Sequence, residues 1–164
     1  MELSLIIEGH PILKTPCEPW TGQEDAQELV KEMTRVMFAT NGLGLSAPQV
    51  GKPYRMFIMG NKDRLYACFN PRIISASEET ENDKEGCLSF PGLFMNIKRP
   101  KTIQVEYEDI SGQVQQHEFT DYAARCFQHE LDHLDGVCFV DRSSQLGLKM
   151  ARERQRKWLK KGIR

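Results

Sequence analysis

Between residues 24 and 40, apolar side chains recur at Leu29, Val30, Met33, Val36 and Met37. That spacing lays one apolar stripe along a helix, and Asn41-Gly42 follows as a stop. Residues 41–53 are rich in Gly and Pro and predict loop or irregular strand. Strand-like runs follow at 54–59, 65–69 and 72–75. A further pair, 102–107 and 114–119, is joined by a turn at 109–112. Thr120 or Asp121 is placed to cap a second helix, which carries Ala123, Cys126, Phe127, Leu131 and Leu134 and ends before Gly136. That much apolar surface predicts a helix buried at the centre. Residues 145–161 predict a terminal helix with Leu148, Ala151, Trp158 and Leu159 on a modest apolar side. Helices at both ends around many short strands give an α+β fold with mostly antiparallel pairing.

The 164 residues suit one compact domain, and no internal repeat or low-complexity linker divides them. Hydrophobic residues at 40% and charged residues at 27% are ordinary for a globular chain. A net charge of -1 excludes a global bias toward nucleic acid or membrane, yet the charge is uneven. Residues 149–164 hold eight basic residues and one acid, a balance of +7, so residues 1–148 carry -8. No apolar run approaches the roughly 20 residues needed to span a bilayer. The first residues lack the basic start and apolar middle of a secretory signal, and the Arg- and Ser-rich character of a transit peptide. The five cysteines, at 17, 68, 87, 126 and 138, are an odd number in no small-scaffold spacing. A reducing cytoplasm is expected, with any special cysteine acting as ligand rather than bridge.

Candidate chemistry changes this plain picture. Residues 128–136 read Gln-His-Glu-Leu-Asp-His-Leu-Asp-Gly and contain His129-Glu130-x-x-His133. Residues four apart lie on one helix face, so both histidines can grip one metal ion. Glu130, one step round the helix, is placed to handle the proton of an activated water. A hydrolytic site needs a third protein ligand. One metalloprotease pattern puts a His six residues after the second, where this chain has Phe139. Glu153 is a downstream carboxylate, but it lies in the basic run, where pairing with Lys and Arg is the plainer reading. His10, His117 and the cysteines remain. Cys87 stands out for its setting, Glu85-Gly86-Cys87-Leu88-Ser89, in which Gly86 allows close backbone approach. The other four cysteines read as small buried hydrophobes, with Cys126 the nearest decoy, one turn before Glu130.

Amide hydrolysis also needs donors for a tetrahedral oxyanion. Residues 42–49, Gly-Leu-Gly-Leu-Ser-Ala-Pro-Gln, offer a glycine-lined backbone stiffened by Pro48 and a neutral side-chain donor in Gln49. No Gly-Lys-Ser/Thr follows, so this is not a phosphate loop.

In order, these stretches resemble the peptide deformylase family, whose motifs have the form G-φ-G-x-A-A-P-Q, E-G-C-φ-S and Q-H-E-x-D-H-φ-x-G, with φ apolar. They correspond here to residues 42–49, 85–89 and 128–136, and His10-Pro11-Ile12-Leu13-Lys14 is similar to the family's opening segment. The resemblance implies a peptide deformylase-like fold around a central metal-binding helix. It implies a metal held by Cys87, His129 and His133, Fe(II) in the family, with Zn(II), Ni(II) or Co(II) able to replace it. Ligand chemistry alone points to Zn(II). The implied reaction removes the formyl group from the N-terminal formyl-methionine of nascent peptides. Glu130 would move the proton of the attacking water to the leaving amine, and Gln49 and the Leu88 backbone N–H would stabilise the oxyanion. Gly44 and Gly86 would flank a groove in which the peptide lies as an added strand. Gln128 and Asp132 would support the site, and Asp132 could pair with Arg99.

Ser46 replaces the family's usual first Ala, a change expected to be tolerated. Phe94 stands where some bacterial members carry a peptide-contacting Arg, so 91–100 is expected to shape specificity of its own. The basic run at 149–164 could dock on the ribosome, since clustered cations favour RNA phosphate. A solvated basic helix end complementing its dipole explains the run equally well. No membrane partner is expected, and the chain is expected to act as a monomer. The competing functions are a metallopeptidase built on the same His-Glu helix and a non-catalytic, ribosome-associated homologue. The first would need a carboxylate or His as third ligand, the second a lost Glu or ligand.

Overall fold

The computed structural model describes residues 1–162; Ile163 and Arg164, the end of the basic run, lie outside the described residues. The first predicted helix is α1, Ala26–Ala39, where the Asp25 side chain accepts from the Glu28 N–H at 3.1 Å. Its stripe, Leu29, Met33, Val36 and Met37, is buried against β1, Gly44–Ser46, β2, Met56–Gly60, and the start of β3, Leu65–Ala76. The Gly- and Pro-rich loop therefore contains a short edge strand, followed by a 3-10 turn at Ala47–Val50.

Two predicted runs, 65–69 and 72–75, are one strand of 12 residues. Register slips between Phe69 and Arg72, and Asn70 adopts φ 48 there. The Asn70 amide is fixed by Trp20 N–H at 2.7 Å, Trp20 O at 3.0 Å and Glu108 at 2.7 Å. Pro71, which has no N–H to donate, sits in this irregularity rather than in the ladder. Strand β6, Thr102–Glu108, and β7, Val114–Thr120, complete an antiparallel sheet in the order β1-β2-β3-β6-β7.

The largest departure from the predicted elements is a second sheet. Strands β4, Thr80–Cys87, and β5, Phe90–Pro100, form a hairpin with Leu88 and Ser89 at its turn. The sequence TENDKEGC carries too little apolar alternation to announce a strand. With β3 at 12 residues and β5 at 11, the strands are not uniformly short. In β5 the alternation is present once the face is known: Leu93, Met95, Ile97 and Arg99 are buried, while Phe94, Asn96 and Lys98 face out.

Helix α2, Asp121–Leu134, lies at the centre as expected, with Ala124, Phe127 and Leu134 fully buried. The Phe127 ring meets Phe57 edge-on at 5.0 Å. Thr120 precedes the helix but does not cap it; its hydroxyl pairs with Thr102 at 3.1 Å. After α2, Phe139 packs edge-on against Phe90 at 5.5 Å. The terminal helix α3, Gln145–Gly162, lies along β5 and buries Ala151 and Gln155, while Arg152 pairs with Glu8 at 3.0 Å. Among the described residues no helix is long and apolar enough to cross a membrane.

Candidate active site

Helix α2 projects His129 and His133 from one face, and the end of β4 brings Cys87 to meet them. One donor atom from each of Cys87, His129 and His133 lies within 4.8 Å of the others. Cys87 Sγ is 3.4 Å from His133 Nε2. His129 commits Nδ1 to Glu85 Oε1 at 2.9 Å, which leaves Nε2 for the cluster. A thiol and two imidazole nitrogens with room between them suit a divalent transition metal. Burial holds His133 well below the usual histidine range, which favours the neutral form that binds a metal. Burial acts the same way on His129, but its bonds to Cys87 and Glu85 outweigh it and hold that ring well above the range. This set meets the fit that a metal requires.

The other candidate third ligands are elsewhere. His10 caps a 3-10 turn, its Nδ1 accepting from the Ile12 N–H at 3.2 Å. His117 is stacked against Tyr107 at 5.6 Å. Glu153 is exposed on α3. Phe139 occupies the place of a metalloprotease's third His and only packs its ring 5.9 Å from His129.

Glu85 organises the hairpin side. Its carboxylate accepts from Arg99 Nε at 2.5 Å and Nη2 at 3.0 Å, from Arg125 Nη1 at 2.6 Å and from His129 Nδ1. Burial alone would raise its pKa; the bonds to His129 and Arg99 hold it down to about 2. An ionised Glu85 accepts the Nδ1 proton of His129 and so aims Nε2 at Cys87. The Asp132–Arg99 pairing exists, at 3.0 Å, and Arg142 adds bonds to Asp132 at 2.6 and 2.7 Å. Gln128 donates to Pro100 O at 3.0 Å and holds α2 to the end of β5. Reading the sequence alone missed Glu85, Arg125 and Arg142 as partners. Arg125 is one turn before His129, a spacing that could have flagged it.

The cluster opens into a cavity of about 620 Å³ lined by Gly44, Gln49, Gly86, Leu88, Cys126 and Glu130, among others. Burial pushes the Glu130 carboxyl up to about 7, and Oε1 has no hydrogen-bond partner. Gln49 donates Nε2 to Ser89 Oγ at 3.1 Å and points at Cys87 Sγ at 3.5 Å. Its Oε1 accepts from the Ser46 N–H at 3.0 Å and from the Ser46 hydroxyl at 2.9 Å. The Ser46 hydroxyl thus adds a second donor to the Gln49 carbonyl, beside a backbone N–H that any residue at that position would supply.

Both glycines expected to admit a peptide are also closely approached by the protein's own side chains. A Cβ at Gly44 would stand 2.6 Å from Glu130 Oε2 and 2.8 Å from Cys126 Sγ, and one at Gly86 would stand 2.5 Å from the Phe94 ring. Cys17, Cys68 and Cys138 are buried as expected. Cys126 is not simply a core hydrophobe. It is half-buried and lines the cavity with Glu130.

The family model described as polypeptide deformylase matches residues 3–149. A protein named peptide deformylase from Thermotoga maritima is 42% identical over 137 residues, covering 83% of this chain and 84% of its own. The crystal structure of the peptide deformylase from that organism superposes with a TM-score of 0.84 at 40% identity, covering 88% of this chain and 99% of that one. The Synechococcus elongatus peptide deformylase in complex with actinonin gives 0.88 at 33% identity over 93% of this chain and 85% of that one.

Proposed function

The chain belongs to the polypeptide deformylase family, and on that premise we propose that it is a metal-dependent hydrolase that removes the formyl group from the N-terminal formyl-methionine of nascent polypeptides. The convergence of Cys87, His129 and His133 beside Glu130 and Gln49, in one cavity, carries the proposal. In this reading those three residues hold one divalent ion. Fe(II) is the expected occupant, with Zn(II), Ni(II) or Co(II) able to take its place. When bound, such an ion supplies Lewis-acid activation of water and of the formyl carbonyl.

The chain's own residues do the rest. Gly44 and Gly86 border the groove that takes the peptide backbone as an added strand. The Gln49 Nε2 and the Leu88 N–H, at the hairpin turn, face the formyl oxygen as negative charge develops on it. Glu130 takes a proton from the attacking water and delivers it to the leaving nitrogen as the carbon–nitrogen bond breaks. One water is consumed, and formate and a free amino terminus leave. Glu85, anchored by Arg99 and Arg125, keeps the His129 ring oriented throughout. The whole chain acts as one catalytic domain, a monomer working in the cytoplasm, and the basic face of α3 contacts ribosomal RNA.

Formate release from a formyl-Met peptide by Fe(II)-loaded protein under anaerobic conditions, or by Ni(II)-loaded protein, tests the activity. Absence of formate with both metals overturns it. Actinonin, found in the Synechococcus structure, is expected to compete with that peptide. Truncation after Leu148 is expected to weaken salt-sensitive ribosome binding, and unchanged binding by a folded truncation removes that partner.

A further inference from the structure

A second cavity, of about 320 Å³, opens beside the first, and Lys84, Gly92 and Phe94 line both. It lies on the outer face of the β4–β5 hairpin. Side chains alternate along a strand, so Asn82, Lys84 and Gly86 share that face. They stand opposite Lys98, Asn96 and Phe94 respectively. None of these six is acidic; the one buried carboxylate of the hairpin, Glu85, is on the other face. Helix α3 walls the cavity with Arg154 and Trp158, one turn apart, and the Trp158 ring lies over Gly92. Lys84 Nζ rests 5.0 Å from the Phe94 ring centroid, and Arg154 Nη2 reaches the Phe94 carbonyl at a long 3.4 Å. Among the described residues Lys84, Lys98 and Arg154 form no ion pair, whereas Arg99, Arg125, Arg142 and Arg152 all do.

We propose that this cavity is a distal subsite for an acidic side chain of the substrate, at the second residue after the formyl-methionine. The inference rests on the deformylase reading. An extended strand rises about 3.3 Å per residue, so a peptide lying along β4 with its first residue beside Gly86 places its third about 7 Å further on, level with Lys84. A carboxylate there meets the Lys84 ammonium and the planar Arg154 guanidinium, neither of which is ion-paired among the described residues. Phe94 and Trp158 cover its methylene groups.

The test is kcat/KM for formate release from formyl-Met-Ala-Glu, formyl-Met-Ala-Gln and formyl-Met-Ala-Lys, each amidated at the C-terminus so that the side chain is the only possible carboxylate. The Glu peptide is expected to exceed the Gln peptide by about fivefold, as for a partly exposed ion pair. The Lys peptide is expected to fall lower still. The difference should reside in KM and shrink between about 50 and about 500 mM salt. The double variant Lys84→Glu, Arg154→Glu is expected to reverse the order and favour the Lys peptide. Equal values for the three peptides, or an unchanged order in the charge-reversed variant, overturn the subsite while leaving the deformylase reading intact. No formate from any of the three overturns that reading and the subsite with it.

Discussion

In α2, His129 and His133 are neighbours because they are four residues apart on a helix, and any stable helix there would pair them. In the β4–β5 hairpin, Cys87 meets them only because register places it at a turn between two strands that contact the helix across the core. The helix brings its two histidines together by local geometry; the hairpin brings in its cysteine, and the carboxylate that orients His129, by long-range packing. The two regions also differ in how they are held. Helix α2 buries Phe127 and Leu134, whereas the hairpin is bound to it through Glu85, Arg99, Arg125 and Asp132, all buried. A site of this kind is as rigid as its ionic seam.

Breaking the hairpin's contribution should have the largest effect. Cys87→Ala is expected to lower metal affinity by more than the about 10–100-fold that an outer partner is worth, and to bring formate release to background. Elemental analysis after metal loading and desalting checks this, and full occupancy removes Cys87 from the ligand set. On the helix, Glu130→Gln is expected to keep the metal and lower kcat by about 10²–10⁴-fold. An unchanged kcat would assign the proton to another group.

The seam itself comes next. Glu85→Gln keeps the shape but leaves two buried guanidinium groups short of charge. Loss of one buried ionic partner costs about 3–5 kcal/mol, read by denaturant unfolding of the metal-free protein, and metal affinity should fall about 10–100-fold. A variant as stable as the parent would show that the seam is not what joins the two regions. Ser46→Ala removes one hydroxyl from Gln49 and should reduce kcat/KM by about fivefold, the equivalent of one hydrogen bond of about 1 kcal/mol. No change would mean that the Ser46 N–H alone orients the amide.

The smallest effect belongs to an exposed pair outside both regions. Asp141 meets Lys14 at 2.7 Å, with about half of each side chain in solvent. Partial burial opposes ionisation, but Lys14 and the Cys138 N–H outweigh it and hold the carboxyl below its usual value. A lowered folded pKa gives stability that is present above the unfolded value near 3.9 and is lost as pH falls through the folded one. Asp141→Asn should therefore cost only about 0.2–1 kcal/mol at pH 7, and the difference should vanish in acid. A larger loss would erase the contrast between a screened pair and the buried seam.

Helices α1 and α2 were legible because their apolar positions repeat with the helical period and their ends carry stop signals. Strands β6 and β7 were legible from alternation around a turn. Hairpin β4–β5 was not, because Glu85 and Arg99 occupy inward positions where a sequence pattern expects apolar side chains, and only their mutual neutralisation permits them there. Asn70 and Pro71 read as a break between strands and proved to be an irregularity inside one.

The sequence by itself determined that two histidines and a glutamate share a helix, since that follows from spacing within one element. It determined the ordered motifs that mark the family, and it offered Cys87 and Gln49 as candidates without being able to bring them together. The tertiary structure alone decided that Cys87, rather than His10, His117 or Glu153, stands beside His129 and His133. It decided that Glu85 aims His129, that Ser46 aims Gln49, and that Arg154 of α3 reaches the rim of the cavity. Each of these depends on contacts between residues distant in the chain, and such contacts are set by register and packing rather than by any local period.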